Sequence, residues 1–437
     1  MSAILDKLLK GQKVEWKTLG DVSVLYGGLT GKNKADFENG NAKYVSYKNI
    51  FANLAVDLQN LGTVKANDNE KQHFIKHGDI LFTGSSETQA EAGISSVVTE
   101  HPIEKIYLNS FSFGLRFNDD VELMPEFTKF LFRGDLMRTQ IARTASGVTR
   151  FNISKERFKK IQVPIPPLDV QAEIVRILDA FTAVTAELTA ELNMREKQYQ
   201  YYRDKLLSFS DVSIETDSNR QQQTALCERL TNNVKQNHQI IWKSLGEVAE
   251  YSKSRISFDK LNEKNYIGVD NLLQNRMGKT NSSYLPTSGN LTAYFENDIL
   301  IGNIRPYLKK IWQANQTGGT NGDVLVIHLK DEAILPRYLY QILADDKFFD
   351  FNMQNAKGAK MPRGNKEAIL KYSFPVPPLD EQKRIVEVLD KFETLTHSIT
   401  EGLPKEIALR QQQYEYYREQ LLDLAKNQIN IHINTYT

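Results

Sequence analysis

Two short loops carry residue types that are suited to reading nucleic acid. One runs Ser-Gly-Val-Thr-Arg-Phe-Asn over residues 146–152, and the other runs Lys-Gly-Ala-Lys-Met-Pro-Arg-Gly-Asn over residues 357–365. Arginine can bond both acceptors of a guanine edge, asparagine can pair with adenine, and lysine mostly holds phosphate. The same residues also suit a solvated basic face. For any single one of them, the sequence leaves both interpretations open.

Both loops lie in stretches of clustered positive charge. Residues 133–160 hold eight basic residues against two acidic ones, and residues 353–371 hold five against one. The whole chain carries a net charge of only +1, so any nucleic-acid surface must be local. The two loops and Arg305 rank highest among the candidates. The candidate DNA-binding residues are Lys32, Lys34, Arg143, Thr149, Arg150, Asn152, Lys253, Arg255, Asn303, Arg305, Tyr307, Lys357, Lys360, Arg363 and Asn365.

A duplicated sequence positions the two loops. Each basic stretch is followed by Pro-x-Pro-Pro-Leu-Asp-x-Gln, at residues 164–171 and again at residues 375–382. Each copy then continues to a Tyr-Tyr-Arg, and each is preceded by an opening Trp-Lys-[Thr/Ser]-Leu-Gly. A repeat on this scale decides the fold. Between these landmarks the two copies cannot be aligned, which is what two binding domains with different ligands on one scaffold would look like.

A long coiled-coil helix is predicted after each Pro-Pro motif, because apolar residues there alternate at spacings of four and three. Asp169 and Asp380 are the expected helix caps. The second seam has a stutter near Gly402 and Pro404, where we expect a kink or a break and restart. The two seams are expected to pack antiparallel on each other. The alternative is two unrelated amphipathic helices, each docked on its own domain.

The resulting fold class is α+β, with two mixed α/β domains joined and spaced by two long antiparallel coiled-coil helices in an internal pseudo-twofold repeat. The predicted divisions are a first domain with an N-terminal helix (1–165), a first spacer helix (166–209), a polar linker (210–240), a second domain (241–376), a second spacer helix (377–424) and a C-terminal tail (425–437).

Catalytic signatures are missing from the sequence. It contains no phosphate-binding G-x-x-x-x-G-K-[ST] loop and no amino-methyltransferase motif, and we expect no catalytic residue and no metal site. The single cysteine, Cys227, fits a reducing compartment. No signal peptide and no apolar run of membrane-spanning length is recognised, so we expect a cytoplasmic protein.

The duplicated helices, the Trp-Lys openers and the Tyr-Tyr-Arg ends resemble the specificity (S) subunit of type I restriction–modification systems. The resemblance covers nearly the whole chain. A tandem Thr-Ala-Glu-Leu at residues 185–192 is typical of the IC group of these subunits. The resemblance implies two target recognition domains, each reading one half of a split, asymmetric site in double-stranded DNA.

The same resemblance implies partners. The two helices would dock two methyltransferase (M) subunits, and motor-nuclease (R) subunits would join for restriction. S-adenosylmethionine, ATP and Mg would be bound by those partners, and this non-catalytic chain would bind no cofactor. Tyr201 and Tyr416 lie off the heptad seam and are the candidates for M-subunit docking. Two alternatives remain: a self-sufficient restriction or methylation enzyme with two recognition domains, and a coiled-coil adaptor that does not bind DNA.

Overall fold

The computed structural model describes residues 3–67, 69–209, 240–398 and 401–424. The chain divides into two compact units. Unit 1 is Met1–Glu187 with Ala408–Thr437, and unit 2 is Leu188–Ile407. The predicted linker, apart from residue 240, and the predicted tail lie outside the described residues.

Unit 1 alternates short strands and helices before the first long helix. Its helices are Ala3–Leu9 (α1), Leu19–Val22 (α2), Tyr47–Ala52 (α3), Pro125–Leu131 (α4), Asp135–Thr144 (α5), Lys155–Phe158 (α6) and the start of Leu168–Ser208 (α7). Its strands are Glu15–Thr18 (β1), Ser23–Gly27 (β2), Ala42–Val45 (β3), Gly62–Val64 (β4), Ile80–Thr83 (β5), Ser85–Ser86 (β6), Ser95–Val97 (β7), Ile106–Leu108 (β8), Ser112–Phe117 (β9), Ala145–Ser146 (β10), Phe151–Ile153 (β11) and Gln162–Ile165 (β12).

Unit 2 follows the same plan. Its strands are Ile241–Ser244 (β13), Ala249–Tyr251 (β14), Arg255–Ser257 (β15), Tyr266–Ile267 (β16), Asn290–Tyr294 (β17), Ile299–Gly302 (β18), Ile311–Gln313 (β19), Gly318–Thr320 (β20), Val324–Leu329 (β21) and Ser373–Val376 (β22). Its helices are Leu245–Val248 (α8), Pro336–Leu343 (α9), Asp346–Gln354 (α10), Lys366–Leu370 (α11), Leu379–His397 (α12) and the start of Gly402–Leu422 (α13).

The duplication is visible in the sheets. The central sheet of unit 1 has the order β2-β9-β5-β7, and that of unit 2 has the equivalent order β14-β21-β18-β19, all antiparallel. The second sheets differ: β4-β3-β8 in unit 1 against β15-β17-β20-β16 in unit 2. The scaffold is therefore repeated, and the parts built on it have diverged.

Successive residues of strand β5, and of the equivalent strand β18, are buried in two separate hydrophobic cores on opposite faces of the sheet. In β5, Ile80 and Phe82 pack against the helices, whereas Leu81 packs on the opposite face of the sheet. Leu300 in β18 repeats the role of Leu81. Because successive side chains of a strand point to opposite faces, a short apolar run can be buried on both sides.

The two opening Trp-Lys runs pair with the Pro-Pro motifs. In unit 1, β1 lies antiparallel to β12, with Trp16 opposite Pro164. In unit 2, β13 lies antiparallel to β22, with Trp242 opposite Pro375. Each pairing returns the start of a domain to the point where its long helix begins. The repeated sequence landmarks are thus neighbours in the fold.

The long helices begin two residues earlier than a capping aspartate would require. α7 begins at Leu168 and α12 at Leu379, so Asp169 and Asp380 lie inside the first turn. The residue at the cap position of α12 is Pro378, which has no side chain able to cap. The expectation of aspartate caps is therefore wrong. Carboxylates in the first turn still interact favourably with the helix dipole.

In unit 2 the two long helices run antiparallel. The Tyr199 ring lies 5.6 Å from the His397 ring, and the Tyr202 ring lies 5.3 Å from the Phe392 ring. A higher number on α7 thus meets a lower number on α12. This confirms the predicted antiparallel pairing of the seams.

In unit 1 the same kind of contact joins α7 to α13. Ile174 and Leu178 of α7 share the core of unit 1 with Leu421 of α13. The ring of Phe181 stacks on that of Tyr417 with 5.1 Å between centroids. The alternative in which each helix docks only on its own domain is therefore wrong.

The predicted break in the second helix is confirmed. α12 ends at His397, and Ser398 is already extended, with φ −70° and ψ 123°. α13 begins at Gly402, whose φ of +73° favours glycine. A Cβ at this position would lie 2.4 Å from the carbonyl oxygen of Thr394, so the restart also needs the missing side chain.

Candidate nucleic-acid interface

In unit 1 the glycine-containing loop is joined to the segment that follows the central strand. β6 comes one residue after β5 and pairs with β11, so that Ser85 lies opposite Asn152. β11 pairs in turn with β10. We call residues 84–89 and 145–153 the unit 1 loop pair. Its two segments are far apart in sequence but form one small sheet.

Unit 2 builds the equivalent surface from residues 303–309 and 357–365, the unit 2 loop pair. Ile304 forms a β-bridge with Arg363, and the amide of Arg305 donates to the carbonyl oxygen of Pro362 at 2.7 Å. The amide of Gly364 donates to the carbonyl of Asn303, just as the amide of Ile153 donates to that of Gly84 in unit 1. The structure therefore places Arg305 beside the glycine-containing loop at residues 357–365, and both were among the highest-ranked candidates.

The unit 1 loop pair presents its candidates to solvent. Thr149, Arg150 and Asn152 are all exposed. Arg143 is exposed as well, but it lies just before the loop pair, in the last turn of α5. The turn is tight at Gly147, because a Cβ there would lie 2.0 Å from the carbonyl oxygen of Arg150. Exposed polar and basic side chains on such a turn are able to meet base edges or phosphates.

The unit 2 loop pair exposes a larger set of basic and aromatic side chains. Arg305 lies in the left-handed region with φ 52°, an uncommon conformation for a residue with a side chain. The Arg363 guanidinium lies 2.8 Å from the Asp323 carboxylate, so this arginine is already partnered. The exposed candidates are Arg305, Tyr307, Lys357, Lys360 and Arg363.

Two candidates have structural partners that their residue types did not reveal, and a third is not accessible. Asn303 is buried. The Asn365 side chain caps α11 by accepting from the amides of Glu367 and Ala368. The Lys32 ammonium lies 2.5 Å from the Glu70 carboxylate with only 7% of its side chain exposed, and this bond lowers the pKa of Glu70.

The remaining candidates lie outside the two loop pairs. Lys34 is exposed at the start of a short 3-10 turn. Lys253 is exposed and lies 3.2 Å from the carboxylate of Glu250. Arg255 on β15 donates to the hydroxyl of Thr292. They are separate exposed cations rather than parts of one loop surface.

Two arginines of the basic stretch at 133–160 are internal. Arg133 donates to the carbonyl oxygens of Ser95 and of residues 50, 51 and 53. Arg138 donates to the carbonyl oxygens of residues 90, 92 and 93, next to the unit 1 loop pair. Burial lowers the pKa of each arginine to about 10, so both stay charged at neutral pH. Their guanidinium groups anchor loops through hydrogen bonds to backbone carbonyl oxygens.

The tyrosines separate as the heptad predicts. Tyr199 and Tyr414 on the seam are buried. Tyr201 and Tyr416 off the seam are 44% and 60% exposed. Tyr202 and Tyr417, which are also on the seam, are half-buried. Burial is thus confirmed for Tyr199 and Tyr414, and M-subunit docking through the exposed pair stays a prediction.

Among the described residues, no group of three or more His, Cys, Asp or Glu side chains could hold a metal ion. No helix among them is long and apolar enough to cross a membrane.

Two equivalent α+β domains, each ending its buried central strand in an exposed loop pair, define a duplicated protein of the nucleic-acid-reading class. A family model for the type I restriction modification DNA specificity domain matches residues 12–195 and again residues 241–409. The chain belongs to this family.

Individual relatives agree with this assignment. The specificity subunit of the type I restriction enzyme EcoR124I/EcoR124II from Escherichia coli is 36% identical over 63% of this chain and 65% of its own length. A putative type I restriction enzyme specificity subunit from Haemophilus influenzae is 28% identical over 96% of this chain and 98% of its own. The chain thus spans about two thirds of the first relative and nearly all of the second.

Solved structures show the same fold. The S subunit of a type I restriction–modification system from Mycoplasma genitalium superposes with a TM-score of 0.52 at 15% identity, covering 94% of this chain and 97% of that one. A chain from a structure of the type I R-M system superposes with a TM-score of 0.56 at 16% identity, covering 94% and 98%.

Proposed function

We propose that this chain is the DNA sequence-specificity subunit of a type I restriction–modification complex and recognises a bipartite, asymmetric site. Residues 1–165 and 241–376 would each form a target recognition domain that reads one half. The observation that carries the proposal is the pair of equivalent loop surfaces. Each loop pair follows the equivalent strand of the central sheet in its own unit. The two loop pairs carry different residues, so each suits a different half-site.

The long helices are proposed to serve as spacer and docking elements. The two spacer segments, residues 166–209 and 377–424, would hold the domains apart and dock two methyltransferase subunits. The exposed Tyr201 and Tyr416 are the proposed contacts. Motor-nuclease subunits would join for restriction. S-adenosylmethionine would be bound by the methyltransferase subunits, and ATP and Mg by the motor-nuclease subunits, in the cytoplasm where the DNA lies.

The test is a selection from random-sequence DNA by the complex purified from its host through a tag on this chain. The expected product is a set of sequences with two different conserved halves and a constant gap. A complex without sequence preference would favour the adaptor alternative instead. Methyl transfer by the purified chain alone would favour the self-sufficient enzyme.

A further inference from the structure

The glutamine that ends the Pro-Pro-Leu-Asp-x-Gln motif is fully buried in unit 1. The Gln171 amide oxygen accepts from the amide of Met124 at 2.9 Å. Its amide nitrogen donates to the carbonyl oxygens of Glu122 at 2.8 Å and of Pro166 at 2.7 Å. One side chain at the start of the long helix therefore holds three backbone groups of its domain.

Unit 2 repeats this arrangement. The Gln382 amide oxygen accepts from the amide of Leu335 at 2.8 Å. Its amide nitrogen donates to the carbonyl oxygens of Ala333 at 2.9 Å and of Pro377 at 2.8 Å. Gln382 is also fully buried. The two domains differ in their second sheets and their loops, yet this connection has been kept in both.

The partners of the two glutamines show what the connection holds. Met124 and Leu335 are the N-cap residues of α4 and α9, and neither has a side chain that can cap. Each glutamine oxygen accepts a hydrogen bond from the backbone amide of this N-cap residue. Backbone amides at the start of a helix have no partner within the helix. α4 leads through α5 to the unit 1 loop pair, and α9 leads through α10 to the unit 2 loop pair. The glutamines therefore join the long helices to the elements that carry the loops.

An ion pair lies between the same two helices in each unit. The Lys129 ammonium of α4 lies 2.7 Å from the Asp179 carboxylate of α7. The Arg337 guanidinium of α9 lies 2.8 Å from the Asp390 carboxylate of α12. These pairs are partly exposed and contribute little by themselves. The buried amide has fixed geometry, and its three partners would be left unpaired without it, which makes the glutamine the dominant connection.

We propose that Gln171 and Gln382 are positioning residues that fix the angle at which each recognition domain is held on its long helix, and that they thereby set how strictly the gap between half-sites is recognised. The inference rests on the proposed function. Neither side chain lies in a loop pair, so base identity should not depend on it. The spacing of the half-sites depends on how each domain is attached to its helix. Recognition of the gap should therefore depend on these glutamines.

The experiment compares Gln171→Met and Gln382→Met with Gln200→Met. Methionine keeps the length of the side chain and removes the hydrogen bonds. Gln200 is a matched control, because it lies on the same long helix as Gln171 and, within the described part of the chain, its side chain bonds to exposed Asp204 at 3.2 Å. The full complex carrying each variant selects from DNA in which the two half-sites of the wild type are separated by the native gap or by one base pair fewer or more.

The wild type and the control are expected to enrich the native gap alone. In each Gln→Met variant, the preference for the native gap over gaps one base pair shorter or longer should fall by about tenfold. A tenfold change in binding ratio corresponds to the loss of about one buried hydrogen bond, here the bond to the N-cap residue of α4 or α9. The half-site sequences should stay unchanged. Glutamine removal that only destabilised the fold would lower all binding equally and leave the gap preference intact.

Two results would overturn the inference: an unchanged gap preference in folded variants, or a change in the bases selected at either half-site. If Gln171→Met does not fold, Gln382→Met decides the matter on the same readout, because Gln382 makes the equivalent three bonds in unit 2. Failure of the wild-type complex to select any bipartite sequence would instead count against the proposed function.

Discussion

At the scale of single residues, the arginine of each Tyr-Tyr-Arg has a different role. Arg203 is buried in unit 2, with its Nε 3.4 Å from the Asp345 carboxylate. It also donates to the Tyr199 hydroxyl and to the carbonyl oxygen of Gln341. Burial raises the pKa of Tyr199 to about 12, so this hydroxyl stays neutral beside the guanidinium. Arg418 in unit 1 pairs with its neighbour Glu419 and is partly exposed.

Arg203→Met should destabilise unit 2 by about 3–5 kcal/mol, because it leaves the buried Asp345 carboxylate without its countercharge. Arg418→Met should cost no more than about 1 kcal/mol, since its ion pair is partly solvated. Urea unfolding monitored by hydrogen exchange, in unit 2 for Arg203→Met and in unit 1 for Arg418→Met, measures the difference. An equal loss of unfolding free energy in the two variants would show that the buried ion pair contributes no more to stability than the partly exposed one.

Two asparagines that looked alike in the sequence should behave differently. Asn152→Ala should leave stability unchanged and reduce discrimination at one base of the first half-site by about tenfold or more, since a bidentate contact is worth about 1–3 kcal/mol. Asn365→Ala should cost about 1 kcal/mol of stability through the lost cap of α11. Thermal unfolding and competition binding separate the two effects. Loss of discrimination without loss of stability in Asn365→Ala would contradict the capping role.

At the scale of elements, the break between α12 and α13 accommodates the stutter of the second seam. The first seam continues through one helix, α7, without interruption. The second helix ends and restarts at Gly402, which combines a positive φ with backbone in close contact. The mismatch between the seams is thus absorbed at the position where glycine and proline stand together in the sequence.

Gly402→Ala should destabilise unit 2 by about 1–2 kcal/mol from the left-handed backbone alone, with a further loss from the contact with Thr394. Gly322→Ala is the control in the same unit, because a Cβ there meets nothing within 4 Å. Denaturant unfolding of both variants makes the comparison. Similar stability of the two variants would mean that the restart tolerates a side chain.

Elements were easier to predict than site residues, for a physical reason. Long helices, their seams and the break are specified by local periodicity and by glycine and proline, which the sequence displays directly. The roles of Lys32, Asn303 and Arg133 depend on partners or burial set by tertiary folding. Arg133, for example, binds a carbonyl 80 residues away. The repeat predicted where the two loops lie in the chain. It did not predict which of their side chains are exposed and which are used in contacts within the protein.

At the scale of the whole molecule, one scaffold is used twice and supports two different surfaces. The family match covers both copies, and the central sheets agree in strand order. The tandem Thr-Ala-Glu-Leu lies within the uninterrupted helix α7. Because this segment belongs to neither loop pair, a change of its length leaves both loop pairs untouched.

Insertion of a third Thr-Ala-Glu-Leu after Leu192 should lengthen the recognised gap by one base pair and leave both half-sites unchanged. Four residues rotate a helix by a net ~40°, close to the ~35° of one base pair. The rise of ~6 Å exceeds one base step of ~3.4 Å, so a small tilt must absorb the rest. Methylome sequencing of a host carrying the insertion measures the gap. An altered half-site would reject a rigid spacer.

The central claim is that each loop pair reads its own half of the DNA site. Methylome sequencing of hosts that carry Arg150→Ala, Arg305→Ala or the control Lys105→Ala, an exposed lysine outside both loop pairs, tests it most directly. The predicted result is relaxed sequence in one half for Arg150→Ala, in the other half for Arg305→Ala, and in neither for the control. Relaxation of the same half by both arginine variants, or of neither half, would contradict the account.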